Sequence, residues 1–399
     1  MLNKKTLQDL EVQGKKVIVR VDFNVPMKKN ATGEIADDVR IRAALPTIEY
    51  LLENGAAVIL LSHLGRPKGE PKPEFTLAPV AKRLGELLDK EVKFLDSEQV
   101  VDDNVRAAVK ELQPGDVALL QNTRYRKEEE KNDEGFAKEL SELGELYVND
   151  AFGTSHRAHA SNVGLASNLP SAIGFLVEKE VEAMGNMLED PKRPFVAIMG
   201  GAKVSDKIGV IENLLGKVDT LLLGGGMAYT FLKAQGYEIG KSLLEEDKVD
   251  LSQELMEKAK SQGVTLLLPT DVVIAKEIDE NAETKIVDIN EIPADMEGLD
   301  IGPKTREQFA QEIARARTIV WNGPMGVFEV SPFSEGTKAV ANALAESDAV
   351  TIVGGGDSAL AIEQAGLKDR ITHVSTGGGA SLELLEGKEL PGIVAMEDK

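Results

Sequence analysis

Short, continuously apolar runs recur along the chain, and each ends in a polar or glycine-rich loop followed by a segment of helical periodicity. In the first half they are Lys16–Phe23, Ala56–Ser62, Val117–Gln121 and Leu146–Asn149. In the second half they are Phe195–Met199, Thr220–Leu223, Val264–Leu268, Thr318–Trp321, Ala349–Val353 and Ile371–Val374. A strand with one wet face alternates polar and apolar residues; an uninterrupted apolar run predicts burial on both faces. Helical segments such as Leu77–Asp89 and Leu251–Gln262 lie between the runs. This alternation predicts an α/β fold with parallel sheets and right-handed crossovers.

With 399 residues the chain exceeds what one ordinary core accommodates, so two lobes are expected. The break is placed near Leu169–Glu178, before a helix over Val177–Leu188, with Pro191 and Pro194 introducing the second set of strands. The expected division is residues 1–171 and 172–389, joined by a short helical connection. In such sheets ligands bind at the carboxyl ends of strands, so the residues just after each strand carry the functional information.

Composition narrows the classes. Cysteine is absent, which excludes disulfides, thiolate nucleophiles and cysteine-based metal sites. The amino terminus is polar and lacks the apolar run of a secretory signal, and stretches such as Ala56 to Leu61 are too short to span a bilayer. The expected location is therefore cytoplasmic, without a membrane partner. A net charge of −21 argues against nucleic acid as a partner, because a phosphate backbone needs a basic footprint. An acidic protein that binds a small anion must gather cations locally and add backbone N–H groups or a metal.

The first-half strand ends supply those cations. Arg20-Val21-Asp22-Phe23-Asn24 follows the first strand, with Arg40 on the next segment, and Ser62-His63-Leu64-Gly65-Arg66 follows the second. Gln121-Asn122-Thr123-Arg124 follows the third, and Asn149 to His159, including His156 and Arg157, follows the fourth. Guanidinium groups bind two oxygens of a phosphate or carboxylate at once, and Asp22 and Asn24 offer hydrogen bonds to a hydroxyl. A lone Arg in such a place is commonly a surface ion pair, and Arg126-Lys127 before Glu128–Glu130 reads that way. Asp22 alone could simply cap a turn, and the i,i+3 pair His156 and His159 could hold a metal, although Arg157 between them argues against one. The repetition at successive strand ends predicts a pocket for a small, doubly anionic, hydroxylated molecule.

The second-half strand ends are rich in glycine. They read Gly200-Gly201-Ala202-Lys203-Val204-Ser205-Asp206-Lys207, Gly224-Gly225-Gly226, Asn322-Gly323-Pro324-Met325-Gly326, Gly354-Gly355-Gly356-Asp357-Ser358 and Thr376-Gly377-Gly378-Gly379. Glycine lets backbone approach a ligand closely and offers N–H groups at helix starts. Neither GxxxxGK[ST] nor a clear GxGxxG pattern is present, so the nucleotide reading rests on the set of loops. Lys203 and Lys207 are expected on one face of the helix that opens after the strand, meeting successive phosphates. Asp357 is the expected ligand for a nucleotide-bound Mg²⁺, an ion that needs only one or two carboxylates; an N-cap role is the alternative.

Together RVDFNVP (20–26), SHLGRP (62–67), NDAFGTSHRAH (149–159), GGAKVSDK (200–207), LGGGMAYTFL (223–232), WNGPMGVFE (321–329), GGGDSA (354–359) and STGGGASLELLEG (375–387) resemble phosphoglycerate kinase over essentially the full chain. The resemblance implies two Rossmann-like lobes, with Leu390–Lys399 returning to the first. It implies 3-phosphoglycerate or 1,3-bisphosphoglycerate at Asp22, Asn24, Arg40, His63, Arg66, Arg124 and Arg157. It implies Mg-ADP or Mg-ATP at Gly201, Ala202, Lys203, Lys207, Gly225, Asn322, Pro324, Val327, Glu329, Gly356, Asp357 and Ser358. Glu329 would meet the ribose, and Pro324 and Val327 would line the adenine slot. Arg40, Lys203 and the Gly377–Gly379 turn, with Gly378 at its centre, would stabilise the transferring phosphoryl. Ser358 stands where many relatives carry Thr, which keeps the hydroxyl. Lobe closure before transfer and a monomeric state are also implied. Another acyl-phosphate kinase, a dinucleotide-dependent dehydrogenase and a non-catalytic nucleotide-binding relative are the competing readings.

Overall fold

The structure, a computed structural model, describes residues 3–30 and 33–399. The chain divides into two compact units, Met1–Glu182 with Glu389–Lys399, and Ala183–Lys388. In the first unit the elements run β1 (Lys16–Arg20), α1 (Val39–Glu53), β2 (Ala57–Leu61), α2 (Ala78–Leu88), β3 (Val92–Leu95) and α3 (Asp103–Lys110). They continue with β4 (Val117–Leu120), α4 (Glu134–Ser141), β5 (Leu146–Asn149), α5 (Leu165–Asn168) and β6 (Ser171–Ile173), before α6 (Phe175–Glu189) crosses the unit boundary.

The first sheet has the order β3-β4-β2-β1-β5-β6, and every pairing is parallel. Because the strands are parallel, all their carboxyl ends emerge along one edge. Register fixes neighbours there: Arg20 lies beside Leu61 on one side and Asn149 on the other. The apolar runs are buried as expected, with Val17, Ile18, Val19 and Val58 to Leu61 fully inaccessible. Each such side chain contributes about 1.5–3 kcal/mol on burial. Short polar side chains start the intervening helices, as where Asp102 accepts from the Val105 N–H at 2.8 Å and Asp133 from that of Phe136 at 2.9 Å.

The second unit contains β7 (Phe195–Met199), α7 (Ile208–Leu215), β8 (Thr220–Leu223), α8 (Ala228–Ala234), α9 (Val249–Ser261), β9 (Thr265–Leu267), β10 (Asp271–Ala275), β11 (Lys285–Asp288) and β12 (Glu297–Ile301). It continues with α10 (Pro303–Arg315), β13 (Thr318–Asn322), α11 (Glu335–Glu346), β14 (Val350–Gly354), α12 (Gly356–Gln364), β15 (His373–Val374) and α13 (Gly379–Leu385). Its main sheet, β15-β14-β13-β7-β8-β9, is again parallel throughout. Buried side chains pack on both faces of it: Phe195, Ala197 and Met199 with Ile211 and Leu214 on one, Val196 and Ile198 with Trp321 and Phe309 on the other.

The antiparallel trio β11-β10-β12 departs from the expectation of parallel sheets alone. One of its two edge strands, KIVD, is exposed at Lys285 and Ile286 and half-buried beyond, and is too polar to register as an apolar run. The first sheet likewise gains β3, interrupted by Lys93, and the three-residue β6, both too short or mixed to stand out in the sequence.

The carboxyl-terminal segment returns to the first unit, as the resemblance implied. After α14 (Pro391–Val394), the buried Lys4 ammonium donates to the Val394 and Met396 carbonyls at 2.9 Å each. The Gly392 N–H donates to the Ser155 carbonyl at 2.8 Å, and the Gly392 carbonyl accepts from Asn149 Nδ2 at 2.9 Å.

Candidate active site

In the first unit the guanidinium of Arg20, the last residue of β1, is only 1% exposed. Its donors reach Ser161 Oγ at 2.9 Å, the Val21 carbonyl at 2.5 Å and His63 Nδ1 at 3.0 Å. A guanidinium can only donate, so His63 Nδ1 accepts and the ring carries its proton on Nε2. Burial first, then the positive charges of Arg20, Arg124, His159 and Arg40, hold His63 well below the ordinary imidazole range. His63 is therefore a neutral N–H donor. Arg20 reaches the imidazole directly, and Arg124 and Arg40 bear on it as neighbouring positive charges.

Arg40 stands in the first turn of α1, where its Nη1 donates to the Asn24 carbonyl at 2.6 Å and pairs with Asp22 Oδ1 at 3.3 Å. Asp22 Oδ1 also accepts the Asn24 N–H at 3.2 Å, so it both closes a turn and holds Arg40. Asn24 Oδ1 in turn accepts the Gly65 N–H at 2.8 Å, tying the loop after β1 to the loop after β2. Arg124 Nη1 donates to the Gly65 carbonyl at 3.1 Å, bringing the loop after β4 to the same place. Asp22, Asn24, Arg40, His63 and Arg124 are thus drawn together, while the exposed Arg157 donates from Nε to His156 Nε2 at 3.3 Å. Arg66 is exposed on the same loop and shares no described contact with them. The sequence reading named Arg20 at a strand end without making it a site residue; an Arg closing an apolar strand was the available signal.

In the second unit, backbone hydrogen bonds lace three loops together. The Gly201 N–H donates to the Pro324 carbonyl at 3.1 Å, that of Gly225 to Met325 at 3.1 Å and that of Met227 to Gly201 at 3.0 Å. Gly225, at φ +71°, has no room for a side chain, since a Cβ would lie 2.6 Å from the Gly201 carbonyl oxygen. Its glycine therefore serves loop-on-loop packing. Gly356 and Gly378 have open space where a Cβ would stand, so their backbones are the approachable ones.

The lysine pair is a correction. Lys203 precedes a 3-10 turn over Val204–Asp206 in extended conformation, and Lys207 precedes α7, so neither lies on a helical face. The helix starts late because the backbone first closes that turn through Lys207 N–H to the Val204 carbonyl at 2.8 Å. Lys203 is exposed. Lys207 is half-buried and donates to Asn322 Oδ1; burial pulls its ammonium down to about 8 against the opposing pull of Asp206 and Asp357.

Asp357 is exposed in the first turn of α12, whose N-cap is Gly355, so the N-cap alternative is not realised. Its carboxylate accepts no hydrogen bond among the described residues. Ser358 is fully buried, and its Oγ accepts the Gly323 N–H at 2.7 Å, bracing the loop that carries Pro324. Val327 and Pro324 are half-buried and Glu329 is exposed on that loop, while Ala202 is exposed beside Gly201. Among the described residues, no group of three or more His, Cys, Asp or Glu side chains could by itself hold a metal.

A parallel-sheet edge carrying clustered guanidiniums and a second carrying glycine loops with a half-buried lysine fit a phosphotransferase of the two-lobed α/β class. The family model described as phosphoglycerate kinase matches residues 7–388. The phosphoglycerate kinase of Finegoldia magna is 63% identical over 398 residues, covering 100% of both chains, and that of Clostridium novyi is 62% identical over 399 residues with the same coverage. Among solved structures, phosphoglycerate kinase from Coxiella burnetii superposes with a TM-score of 0.90 at 45% identity, and that from Pyrococcus horikoshii with 0.83 at 36%, each covering 98% of both chains. This chain belongs to the phosphoglycerate kinase family.

Proposed function

We propose that this enzyme reversibly transfers the acyl phosphate of 1,3-bisphosphoglycerate to ADP, giving 3-phosphoglycerate and ATP. The observation that carries the reading is the linkage at one sheet edge of Arg20, bonded to the neutral His63, with Arg40 and Arg124, tied to the neighbouring loop through Asn24 and Gly65. Such a cluster suits a ligand with a phosphate and a carboxylate. Asp22, Asn24, Arg66 and Arg157 complete the proposed contacts to this substrate.

The nucleotide is assigned to Gly201, Ala202, Lys203, Lys207, Gly225, Asn322, Pro324, Val327, Glu329, Gly356, Asp357 and Ser358, with Ser358 acting by holding the Gly323 backbone. A carboxylate acceptor and ADP are both ionised already, so no general base is required. The work falls to positioning and charge stabilisation. Arg40 and Lys203 hold the charge of the moving phosphoryl, and the open Gly378 backbone offers N–H groups to it. His63 Nε2–H orients the substrate. Asp357 has the character of a Mg²⁺ ligand, a free exposed carboxylate beside the approachable Gly356, and the ion would neutralise nucleotide phosphate charge when bound with ADP or ATP. A monomeric enzyme working in the cytoplasm fits this reading; among the described residues no helix is long and apolar enough to cross a membrane.

The test is a coupled assay supplying 3-phosphoglycerate, acetate or a nicotinamide cofactor, run on wild type, Arg40→Ala and Asp357→Ala. Turnover should require 3-phosphoglycerate and fall by about 100-fold or more in Arg40→Ala with nucleotide affinity held. Asp357→Ala should weaken Mg-nucleotide binding more than 3-phosphoglycerate binding. Near-normal turnover in Arg40→Ala removes that residue from the mechanism, and activity on acetate alone favours another acyl-phosphate kinase.

A further inference from the structure

Behind the loop that carries Pro324 and Val327 lies a buried carboxyl that the reaction above does not use. Asp300, on β12, is 1% exposed. Its Oδ1 accepts the Ile301 N–H at 2.9 Å, and its Oδ2 accepts the Gly336 N–H at 2.8 Å in the first turn of α11. The next residue on that turn, the buried Thr337, accepts the Met325 N–H on its Oγ1 at 3.0 Å. Met325 belongs to the loop in question, and its carbonyl receives the Gly225 N–H. From the other side, the Val327 N–H donates to the carbonyl of Leu299, the neighbour of Asp300, at 3.0 Å. Contact is so close that a Cβ at Gly326 would fall 2.5 Å from Asp300 Oδ1 and 2.6 Å from the Leu299 carbonyl oxygen.

We infer that Asp300 and Thr337 are positioning residues for the nucleotide: Asp300 pins the start of α11, and Thr337 on that turn holds the loop whose Pro324 and Val327 face the base. This rests on the assignment of that loop to the nucleotide. Both acceptor roles of Asp300 are strongest in the ionised carboxylate. An amide sets its NH2 donor against one of the two N–H partners, and a protonated acid leaves that partner only the weakly accepting hydroxyl oxygen. The charged and titratable groups that bear on Asp300 are Arg306 on α10, Glu335 on α11 and Tyr229 on α8. Burial outweighs the N–H donors and Arg306 and pushes the carboxyl up to about 7. The brace therefore weakens as pH falls through 7.

The experiment is steady-state kinetics on the full chain for Asp300→Asn, Thr337→Val and Glu329→Ala, varying MgATP and 3-phosphoglycerate separately. A misplaced wall should raise the MgATP KM about fivefold or more in Asp300→Asn and Thr337→Val, with the 3-phosphoglycerate KM within about twofold of wild type. The Asp300→Asn to wild-type ratio of MgATP KM should shrink between pH 8 and pH 6, where titration of the nucleotide itself cancels. Thr337→Val keeps shape and charge, so it decides the matter if Asp300→Asn does not fold. Unchanged MgATP KM in both, or equal rises for both substrates, overturns the inference. Glu329→Ala separates the two levels. If it raises the MgATP KM while the brace variants do not, the inference alone fails; if none of the three moves it, the nucleotide assignment fails.

Discussion

Asp150 offers a quantitative test of how the first unit is assembled. It follows β5, is 1% exposed, and accepts the Leu176 N–H on Oδ1 at 2.9 Å at the start of α6. Its Oδ2 is buried without a hydrogen-bond partner, and Gly174 packs so tightly that a Cβ there would stand 2.5 Å from Asp150 Cγ. Burial is the leading influence and pushes the carboxyl from 3.8 up to about 7, against the Thr47 hydroxyl and the Leu176 and Val177 N–H groups. Between those limits the folded chain retains a proton that the unfolded chain has released. Stability therefore falls as pH rises from about 4 to about 7 and levels off above, by an amount on the order of 2–4 kcal/mol for this group.

Asp150→Asn should abolish that slope. The amide oxygen keeps the Leu176 bond, and the amide replaces an oxygen that had no partner. Urea denaturation followed by far-UV circular dichroism at pH 5, 6, 7 and 8 gives the variant-minus-wild-type difference, in which every other titrating group cancels. The variant should gain about 2–3 kcal/mol relative to wild type between pH 5 and pH 8. A difference constant across that range would show that Asp150 does not titrate as its burial requires. A variant that loses ground as pH rises would show that the α6 amino terminus stabilises the anion instead.

Two further outcomes follow from the same physics. The Lys207 ammonium, drawn down to about 8 by burial, is the form that pairs with phosphate; nucleotide KM should rise as pH increases through 8, and Lys207→Met should flatten that profile while raising KM at pH 7. Lys4→Met leaves the Val394 and Met396 carbonyls without their donor and should cost about 1–3 kcal/mol, read as a lower thermal midpoint and earlier proteolysis at the carboxyl-terminal segment.

What the sequence made legible follows burial. Runs such as AVILL and FVAIM are apolar throughout because both faces are covered, and those strands appear where periodicity predicts them. KIVD and EGLDI, the two edges of the antiparallel sheet, carry no such mark: KIVD is half exposed, while EGLDI is buried yet holds Gly298 and Asp300, the latter satisfied by backbone N–H groups that no sequence pattern reveals. Residue types at strand ends were equally legible, since a parallel sheet delivers every carboxyl end to one edge. Conformation there was not. Lys203 and Lys207 keep helical spacing in the sequence, yet backbone closure of the Val204–Asp206 turn takes precedence and sends them to different environments. Nor could spacing reveal that Gly225 serves a neighbouring loop while Gly378 faces open space, because that depends on contacts between segments far apart in the chain.

The acidic balance of the chain and its proposed anionic substrate are reconciled at Arg20. A buried guanidinium is ordinarily neutralised by a carboxylate, and the pair then has little field left to offer a ligand. Arg20 instead directs its donors to Ser161 Oγ, Val21 O, Ser62 Oγ and His63 Nδ1, all neutral acceptors, and forms no ion pair among the described residues. Its hydrogen-bonding demand is met by neutral groups, and the buried Glu129 carboxylate stands one residue removed, accepting the N–H of the Ser161 whose Oγ Arg20 uses, so the charge is offset only indirectly in a poorly screened place. The same arrangement keeps His63 neutral, so the ring donates from Nε2 without adding a further positive charge to the cluster. Surface carboxylates, numerous enough to give the chain its net −21, lie in water where salt screens them over about 8–10 Å. A buried cation with neutral partners acts at shorter range and higher strength, which is how a strongly acidic protein keeps a local preference for anions.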